Sequence, residues 1–243
     1  MKRYLITIAF DGTAYHGWQV QPGLMTVQRV MNESLEKLLG APTGVTGCSR
    51  TDTGVHAREF AFHIDCDDGI PEEAFLKGLN SILPKDIAVN ACRAVPADFH
   101  ARYDIIGKRY VYGMYSGNKN PFDERYFLHI DSEPDIDLMN EFAVSITGEH
   151  DFCGFSSSGR TVENTVRKIS ACAAERKNNK IYFSVTANGF LYNMVRILAG
   201  TALAVGYGRL DADVADRVFA EKDRSLAGDT LPAHGLFLDK VFY

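Results

Sequence analysis

One stretch that contains two glycines, GCSRTDTGVHA, places three charged or titratable side chains within a span of seven residues. They are Arg50, Asp52 and His56. Glycines near both ends of the stretch give the backbone the freedom for a tight loop that approaches a ligand. A carboxylate on such a loop, two residues from an arginine, is a candidate nucleophile or general base. The residues alone also fit a plainer interpretation, in which Asp52 caps a turn and Arg50 is solvated.

Metal and cofactor motifs are missing around this stretch and elsewhere. Asp52 and His56 are four residues apart, but no second ligand pair has metal-ligand spacing, and the five cysteines form no CxxC pair. The sequence has no phosphate-binding loop, no GxGxxG, no GxSxG and no zinc-deaminase pattern. The residues alone therefore give no evidence for a metal site or for a nucleotide cofactor.

The alternation of apolar residues predicts strands and helices in turn. A strand over residues 3–10 precedes a helix that Thr26 caps and Gly40 closes, and Pro71 opens a second helix. Further strands are predicted near 60–64, 86–95, 107–116, 166–176, 180–188 and 236–243, and further helices near 135–147, 190–206 and 211–221. This pattern indicates an α+β protein with a mixed, mainly antiparallel sheet flanked by helices.

A weak boundary near residues 103–107 divides the chain into two halves. Residues 1–105 carry the Asp52 loop, and residues 106–243 form a second α/β half. No Pro- or Ser-rich linker separates the halves, so we expect them to share the sheet, with the second half closing a cleft.

The composition is that of a globular protein, with 46% hydrophobic residues, 23% charged residues and a formal net charge of −5. These values exclude disordered, collagen-like and coiled-coil proteins. The acidic balance argues mildly against a nucleic-acid binder, whose usual mark is a basic excess. No segment has the pattern of a cleaved leader or a membrane span, so we expect a cytoplasmic protein without a membrane partner.

The charges are nevertheless segregated along the sequence. Residues 160–180 hold six Lys or Arg against two Glu, and residues 102–119 hold four against one Asp. Arg160 and Lys168 in the first segment are candidates for substrate binding. Such segregation suits a basic cleft with acidic outer faces, although charge runs are usually solvated surfaces.

Six ordered blocks along the chain resemble those of the TruA family of tRNA pseudouridine synthases. The stretch SRTDTGVHA is similar to the GRTDxGVHA motif of that family, with Ser49 in place of the usual glycine. The other blocks are FDGTAYHGWQ followed by TVQ, KRYVY followed by NPF, GEHDF, FLYNMVR and PAHGLFL.

The resemblance implies an activity and a substrate. The family isomerises uridine to pseudouridine, here at positions 38, 39 and 40 of the tRNA anticodon stem-loop, without redox chemistry or ATP. It also implies the pseudouridine synthase fold with its active site in a central cleft, tRNA as the partner, and a homodimer. Two alternatives stay open: an RNA or nucleoside N-glycosylase that uses the same aspartate, and a non-catalytic tRNA-binding protein.

The resemblance also assigns the charged pair of the active site. Asp52 matches the essential aspartate of the family, which must be ionised to act as nucleophile or base. Arg196 matches the basic residue beside that aspartate. It is the only charge in the apolar segment 190–205, and a buried arginine needs a counter-ion. An Arg196 that reaches the surface is the alternative.

Two further residues receive roles by the same resemblance, and a third, His56, is assigned without it. Tyr110 matches the active-site tyrosine, whose ring stacks on uracil and whose hydroxyl is suited to removing the C5 proton. Arg50 matches an arginine close to the flipped nucleotide, where a planar guanidinium can stack on a base or pair with a phosphate. His56 supports the loop and is a candidate substrate contact.

Overall fold

The computed structural model describes residues 1–67, 69–158, 163–211 and 213–243, so Arg160 lies outside the described residues. The chain divides into two compact units. Unit 1 comprises Met1–Ile106 and Phe237–Tyr243, and unit 2 comprises Gly107–Leu236. The class is α+β, with strands that pair mostly in the antiparallel direction.

The helices and strands follow one another along the described chain in an irregular alternation. Their bounds are β1 (Lys2–Phe10), α1 (Val27–Leu39), β2 (Thr46–Gly47), β3 (His56–Cys66), α2 (Glu72–Ile82), β4 (Ile87–Val95), β5 (Gly107–Ser116), β6 (Leu128–Ile130), α3 (Ile136–Ser145), β7 (Gly148–Asp151), β8 (Val166–Lys177), β9 (Lys180–Ala187), α4 (Met194–Gly206), α5 (Val214–Glu221) and β10 (Leu236–Phe242).

Unit 1 is built on the antiparallel strands β4, β1 and β3, which pair in that order. The short strand β2 pairs antiparallel with β3, and β10 pairs parallel with it, with Leu238 opposite Ala57. The sequence-based division assigned this C-terminal segment to the second half. The structure groups it with unit 1 because its strand forms part of the unit 1 sheet.

The first helix confirms its sequence signals. The Thr26 hydroxyl accepts a hydrogen bond from the backbone N–H of Arg29 at 3.4 Å, and Gly40 ends the helix in a left-handed conformation with φ 74°. Val27, Met31 and Leu35 are buried on one face, as the helical period predicts. The helix thus covers the unit 1 core at the start of the chain segment that leads to Asp52.

Unit 2 is built on the antiparallel strands β5, β9, β8 and β7, paired in that order. Its most buried helix is α4, in which Ile197, Leu198 and Ala202 have no exposed surface. The prediction that this helix begins at residue 190 is wrong, because it begins at Met194. Asn193 has a left-handed backbone, with φ 60° and ψ 4°, and the helix cannot extend through it.

Among the helices of the described residues, none has the length and apolar character needed to cross a bilayer.

Candidate active site

Asp52 lies on the loop between β2 and β3, with its side chain half-buried. The loop turns tightly after Asp52, whose carbonyl oxygen accepts a hydrogen bond from the N–H of Val55 at 3.2 Å. Arg50 is exposed two residues earlier. The loop therefore presents a carboxylate and a guanidinium at its surface, as the sequence predicts.

The segment from Asp11 to Trp18 holds the backbone of this loop. The N–H of Trp18 donates to the carbonyl of Thr51 at 3.3 Å, and the N–H of Gly54 donates to the carbonyl of Tyr15 at 3.3 Å. These two bonds lie on either side of Asp52 in the sequence. The backbone around the carboxylate is thus fixed by a segment almost forty residues earlier.

Two glycines let that segment approach so closely. A Cβ atom on Gly12 would lie 2.0 Å from the carbonyl oxygen of Val55, and one on Gly17 would lie 2.2 Å from that of Thr51. Gly17 also has φ +76°, a conformation that side chains with a Cβ rarely adopt. Any other residue at either position would have to push the Asp52 loop away.

His56 joins the same two segments through its ring, and only 1% of its surface is exposed. Its Nδ1 lies 3.0 Å from the N–H of Gly12 and 3.1 Å from a carboxylate oxygen of Asp11. This nitrogen accepts from Gly12 when the proton is on Nε2 and donates to Asp11 when the proton is on Nδ1. The ring also stacks on Phe237, with centroids 4.7 Å apart. These contacts favour the loop-holding role for His56.

Two further anchors complete the support of the loop. The Tyr15 hydroxyl donates to Asp86 at 2.7 Å, and burial together with this carboxylate raises the pKa of Tyr15, so the phenol stays protonated. Trp18 is buried and stacks on Phe60 at 4.1 Å between ring centroids. Trp18 is therefore a core residue of unit 1 and not an exposed stacking platform.

Thr51, the residue before Asp52, has an unusual hydroxyl. The side chain is buried, and its Oγ1 has no hydrogen-bond partner in the part of the chain that the structure describes. A buried hydroxyl without a partner costs free energy of folding. This hydroxyl belongs to the residue that directly precedes the candidate catalytic carboxylate.

Arg196 lies in the first turn of α4 in unit 2 and is half-buried. Its Nε donates to the carbonyl oxygen of Leu231 at 2.6 Å, and its Nη1 donates to Oδ1 of Asn193 at 2.8 Å. Burial raises the pKa of Tyr112, and the positive charge of Arg196 partly opposes that rise. The guanidinium is therefore held in a defined direction inside unit 2.

The two tyrosines on one face of β5 have different surroundings. Tyr112 is completely buried, and its hydroxyl donates to the carbonyl of Pro232 at 2.7 Å. Tyr110 is 6% exposed, and its ring meets Phe190 edge-on at 5.1 Å between centroids. The hydroxyl of Tyr112 is therefore committed to a structural contact within unit 2.

Comparison with known proteins identifies the family. The sequence profile of a family described as tRNA pseudouridine synthase matches residues 6–104 and 142–243. The chain belongs to the tRNA pseudouridine synthase family. Asp52 and Arg196 both fall in the matched segments, whereas Tyr110 falls between them.

Relatives of this pseudouridine synthase family match the chain over its whole length. The chain is 43% identical to tRNA pseudouridine synthase A of Ruminiclostridium cellulolyticum and of Lacticaseibacillus casei, over 100% of each protein. It is 41% identical to tRNA pseudouridine synthase A 2 of Clostridium perfringens, again over 100% of both chains. A solved archaeal box H/ACA sRNP Nop10–Cbf5 complex matches 80% of this chain and 45% of that chain at 14% identity, with a TM-score of 0.35.

The cations that the sequence assigns to an RNA-binding surface of this synthase are partly neutralised. Arg176 forms an ion pair with Glu133, and Lys180 forms one with Asp123 at 2.6 Å. Lys168 is exposed, and its N–H donates to the side chain of Asn188 at 3.0 Å. The basic run is therefore less positive than its sequence suggests. Lys168 stays a candidate contact for tRNA.

Sequence reasoning about the synthase missed the residues that hold the charged groups in place. Gly12 and Gly17 belong to a block that resembles the family, but their contact with the Asp52 loop is non-local and leaves no periodic signal. Leu231 is likewise distant in sequence from Arg196, whereas Asn193 is close in sequence but has a left-handed backbone that the hydrophobic pattern does not show. Among the described residues no group of three or more His, Cys, Asp or Glu side chains is arranged to bind a metal ion.

Proposed function

We propose that this protein isomerises uridine to pseudouridine in the anticodon stem-loop of tRNA, at positions 38, 39 and 40, with Asp52 as the catalytic carboxylate. One observation carries the proposal. Asp52 lies on a loop whose backbone is fixed on both sides by Trp18 and Tyr15, in a chain that matches tRNA pseudouridine synthases over its whole length. A preorganised carboxylate of this kind needs little rearrangement when the substrate arrives.

The reaction is an isomerisation, so it balances without any co-reactant. The bond between N1 and C1′ of the uridine breaks, the base turns, and C5 bonds to C1′. The proton at C5 is lost and N1 regains one. Asp52 takes part in its ionised form, whether it attacks the sugar, attacks the base or removes the 2′ proton, and each of these routes uses the same carboxylate.

Arg196 and Tyr110 act on the charge and the base in this proposal. An ionised carboxylate in a dehydrated site needs a nearby cation, because burial alone would raise its pKa. Arg196 supplies that cation as the ion-pair partner of Asp52. Tyr110 stacks on the uracil ring, and its hydroxyl removes the C5 proton in the last step.

Binding of the tRNA must expose the target base. Taking a nucleotide out of its stack costs a few kcal/mol, which contacts to the base and the backbone must offset. Arg50 stacks on the bases or pairs with a phosphate beside the flipped nucleotide, and Lys168 and Arg160 contact the tRNA backbone. We further propose that the enzyme acts as a homodimer in the cytoplasm. Light scattering of the purified protein tests the dimer.

The experiment that tests the function distinguishes three outcomes. The purified protein is incubated with an unmodified tRNA transcript that carries uridine at positions 38, 39 and 40, and the RNA and the supernatant are both analysed. Pseudouridine at these positions supports the proposal. Free uracil with an abasic RNA would instead identify an N-glycosylase, and bound but unchanged tRNA would identify a non-catalytic binding protein.

A further inference from the structure

We propose that Asn193 is a positioning residue for Arg196, which fixes the direction of the guanidinium before the substrate binds. The proposal rests on the catalytic role of Arg196 proposed above. Its basis is a set of contacts within unit 2 that involve both ends of the Asn193 amide and two nitrogens of Arg196.

The guanidinium of Arg196 is held at two nitrogens. Nη1 donates to Oδ1 of Asn193 at 2.8 Å, and Nε donates to the carbonyl of Leu231 at 2.6 Å. Because the guanidinium is planar, two hydrogen bonds from different nitrogens fix both its plane and its rotation. Within unit 2, Nη2 has no hydrogen bond to a described residue, so this nitrogen remains available to an anion.

Asn193 is held at its other end as well. Its Nδ2 donates to the hydroxyl of Ser157 at 3.0 Å, and the N–H of Ser157 in turn donates to the carbonyl of Tyr192 at 3.1 Å. The orientation of the amide is therefore determined by its two partners: oxygen towards Arg196, nitrogen towards Ser157.

The side chain of Asn193 does not make the bond that its position before a helix ordinarily favours. It precedes α4, where an Asn normally caps the helix by accepting from an N–H of the first turn. Asn193 makes no such bond and has a left-handed backbone, with φ 60°. Asn tolerates this conformation better than most residues. Its amide oxygen accepts a hydrogen bond from Arg196 instead of from the first turn of the helix.

The carbonyl group of Leu231, which is the other hydrogen-bond acceptor of the Arg196 guanidinium, is fixed by backbone contacts that do not involve Asn193. Leu231 donates its N–H back to the carbonyl of Arg196 at 3.4 Å, and Gly228 donates to the Thr201 hydroxyl at 2.9 Å. A Cβ on Gly200 would lie 2.0 Å from the carbonyl oxygen of Asp229. The segment that carries the Leu231 carbonyl thus lies directly on α4. The amide of Asn193 is the contact that a side-chain change can remove selectively.

The test compares two Asn-to-Gly changes at left-handed positions. Asn193→Gly keeps a backbone that Gly adopts without strain and removes the amide. Asn178→Gly is the matched control, since Asn178 has φ 59° on an exposed turn between β8 and β9. We expect Asn193→Gly to lower kcat by about ten- to a hundredfold with KM nearly unchanged, because misplaced catalytic groups cost rates of this order. Asn178→Gly should match the wild type.

A double-mutant cycle separates positioning from a merely structural role. Arg196→Lys cannot make the two-nitrogen contact, so adding Asn193→Gly to it should cost less than about a further twofold under single-turnover conditions. An unchanged kcat in Asn193→Gly, or the same loss in the Arg196→Lys background, would overturn the proposal. If Asn193→Gly does not fold, Ser157→Ala takes its place, and a wild-type kcat there would overturn it too. A wild-type protein that forms no pseudouridine would refute the proposed function instead.

Discussion

Gly17 lies directly on the carbonyl oxygen of Thr51, so that a Cβ atom at position 17 would be only 2.2 Å from that oxygen. Thr51 precedes Asp52, and its carbonyl also accepts the N–H of Trp18. The position of the candidate catalytic carboxylate thus depends on a glycine in a different segment of the chain.

Replacement of Gly17 by alanine should displace the Asp52 loop. The left-handed backbone and the overlap with Thr51 together should lower the free energy of unfolding by about 2–5 kcal/mol, and kcat should fall with it. Gly23→Ala is the control, because Gly23 has a similar φ of +74° but open space around it. The control should lose about 1–2 kcal/mol and no activity. Urea unfolding and initial rates would measure both, and equal effects of the two changes would refute the close-contact argument.

Replacement of His56 by phenylalanine tests the link between the loop and the Asp11–Gly12 turn. Phenylalanine keeps the ring that stacks on Phe237 but removes Nδ1, so the buried N–H of Gly12 loses its acceptor. We expect a loss of about 1–3 kcal/mol in stability. His56→Asn, which can restore an acceptor near the same place, should recover part of it. Equal stability of the phenylalanine variant and the wild type would show that the ring contributes only by packing.

Replacement of Thr51 by valine should stabilise the protein. The change preserves shape and removes a buried hydroxyl that has no partner among the described residues, which should raise the free energy of unfolding by about 1 kcal/mol. The matched control is Thr201→Val. The Thr201 hydroxyl donates to Ile197 and accepts from Gly228, so its removal should cost about 1–3 kcal/mol. A loss of stability in Thr51→Val as large as in the control would mean that the Thr51 hydroxyl is bonded.

The two tyrosines of β5 should respond differently to the loss of their hydroxyls. Tyr112→Phe removes the hydrogen bond to Pro232 and should cost about 1 kcal/mol of stability with little effect on kcat. Tyr110→Phe should lower kcat by roughly a hundredfold or more if its hydroxyl removes the C5 proton. Thermal melts and single-turnover rates distinguish the two. The opposite pattern would assign the catalytic hydroxyl to Tyr112.

The fold was predictable where the signal is local and periodic. The caps Thr26 and Gly40 and the alternation along the second half of β1 are properties of short segments, and the structure confirms them. The short strands β2, β6 and β7 have two to four residues, too few for a period to be visible. The start of α4 was misplaced because a left-handed residue such as Asn193 leaves no mark in the hydrophobic pattern.

The sequence nominates the reacting groups of the candidate site but not the residues that support them. Asp52 stands out through its neighbours in the sequence, and Arg196 through its isolation in an apolar segment. Gly17 and Asn193 act through residues distant in sequence or through backbone conformation, which only coordinates reveal. The positive charge of residues 160–180 was overestimated for the same reason, because the acidic partners of Arg176 and Lys180 come from elsewhere in the chain.

The most direct test of the central claim is pseudouridine formation by Asp52→Asn beside tRNA binding by the same variant. The amide keeps the size of the carboxylate and removes its charge, and Asp67→Asn makes the same change at an exposed position. We expect Asp52→Asn to bind tRNA with nearly wild-type affinity and to form no pseudouridine under single-turnover conditions, while Asp67→Asn stays fully active. Wild-type rates of pseudouridine formation by Asp52→Asn would contradict the assignment of Asp52 as the catalytic carboxylate.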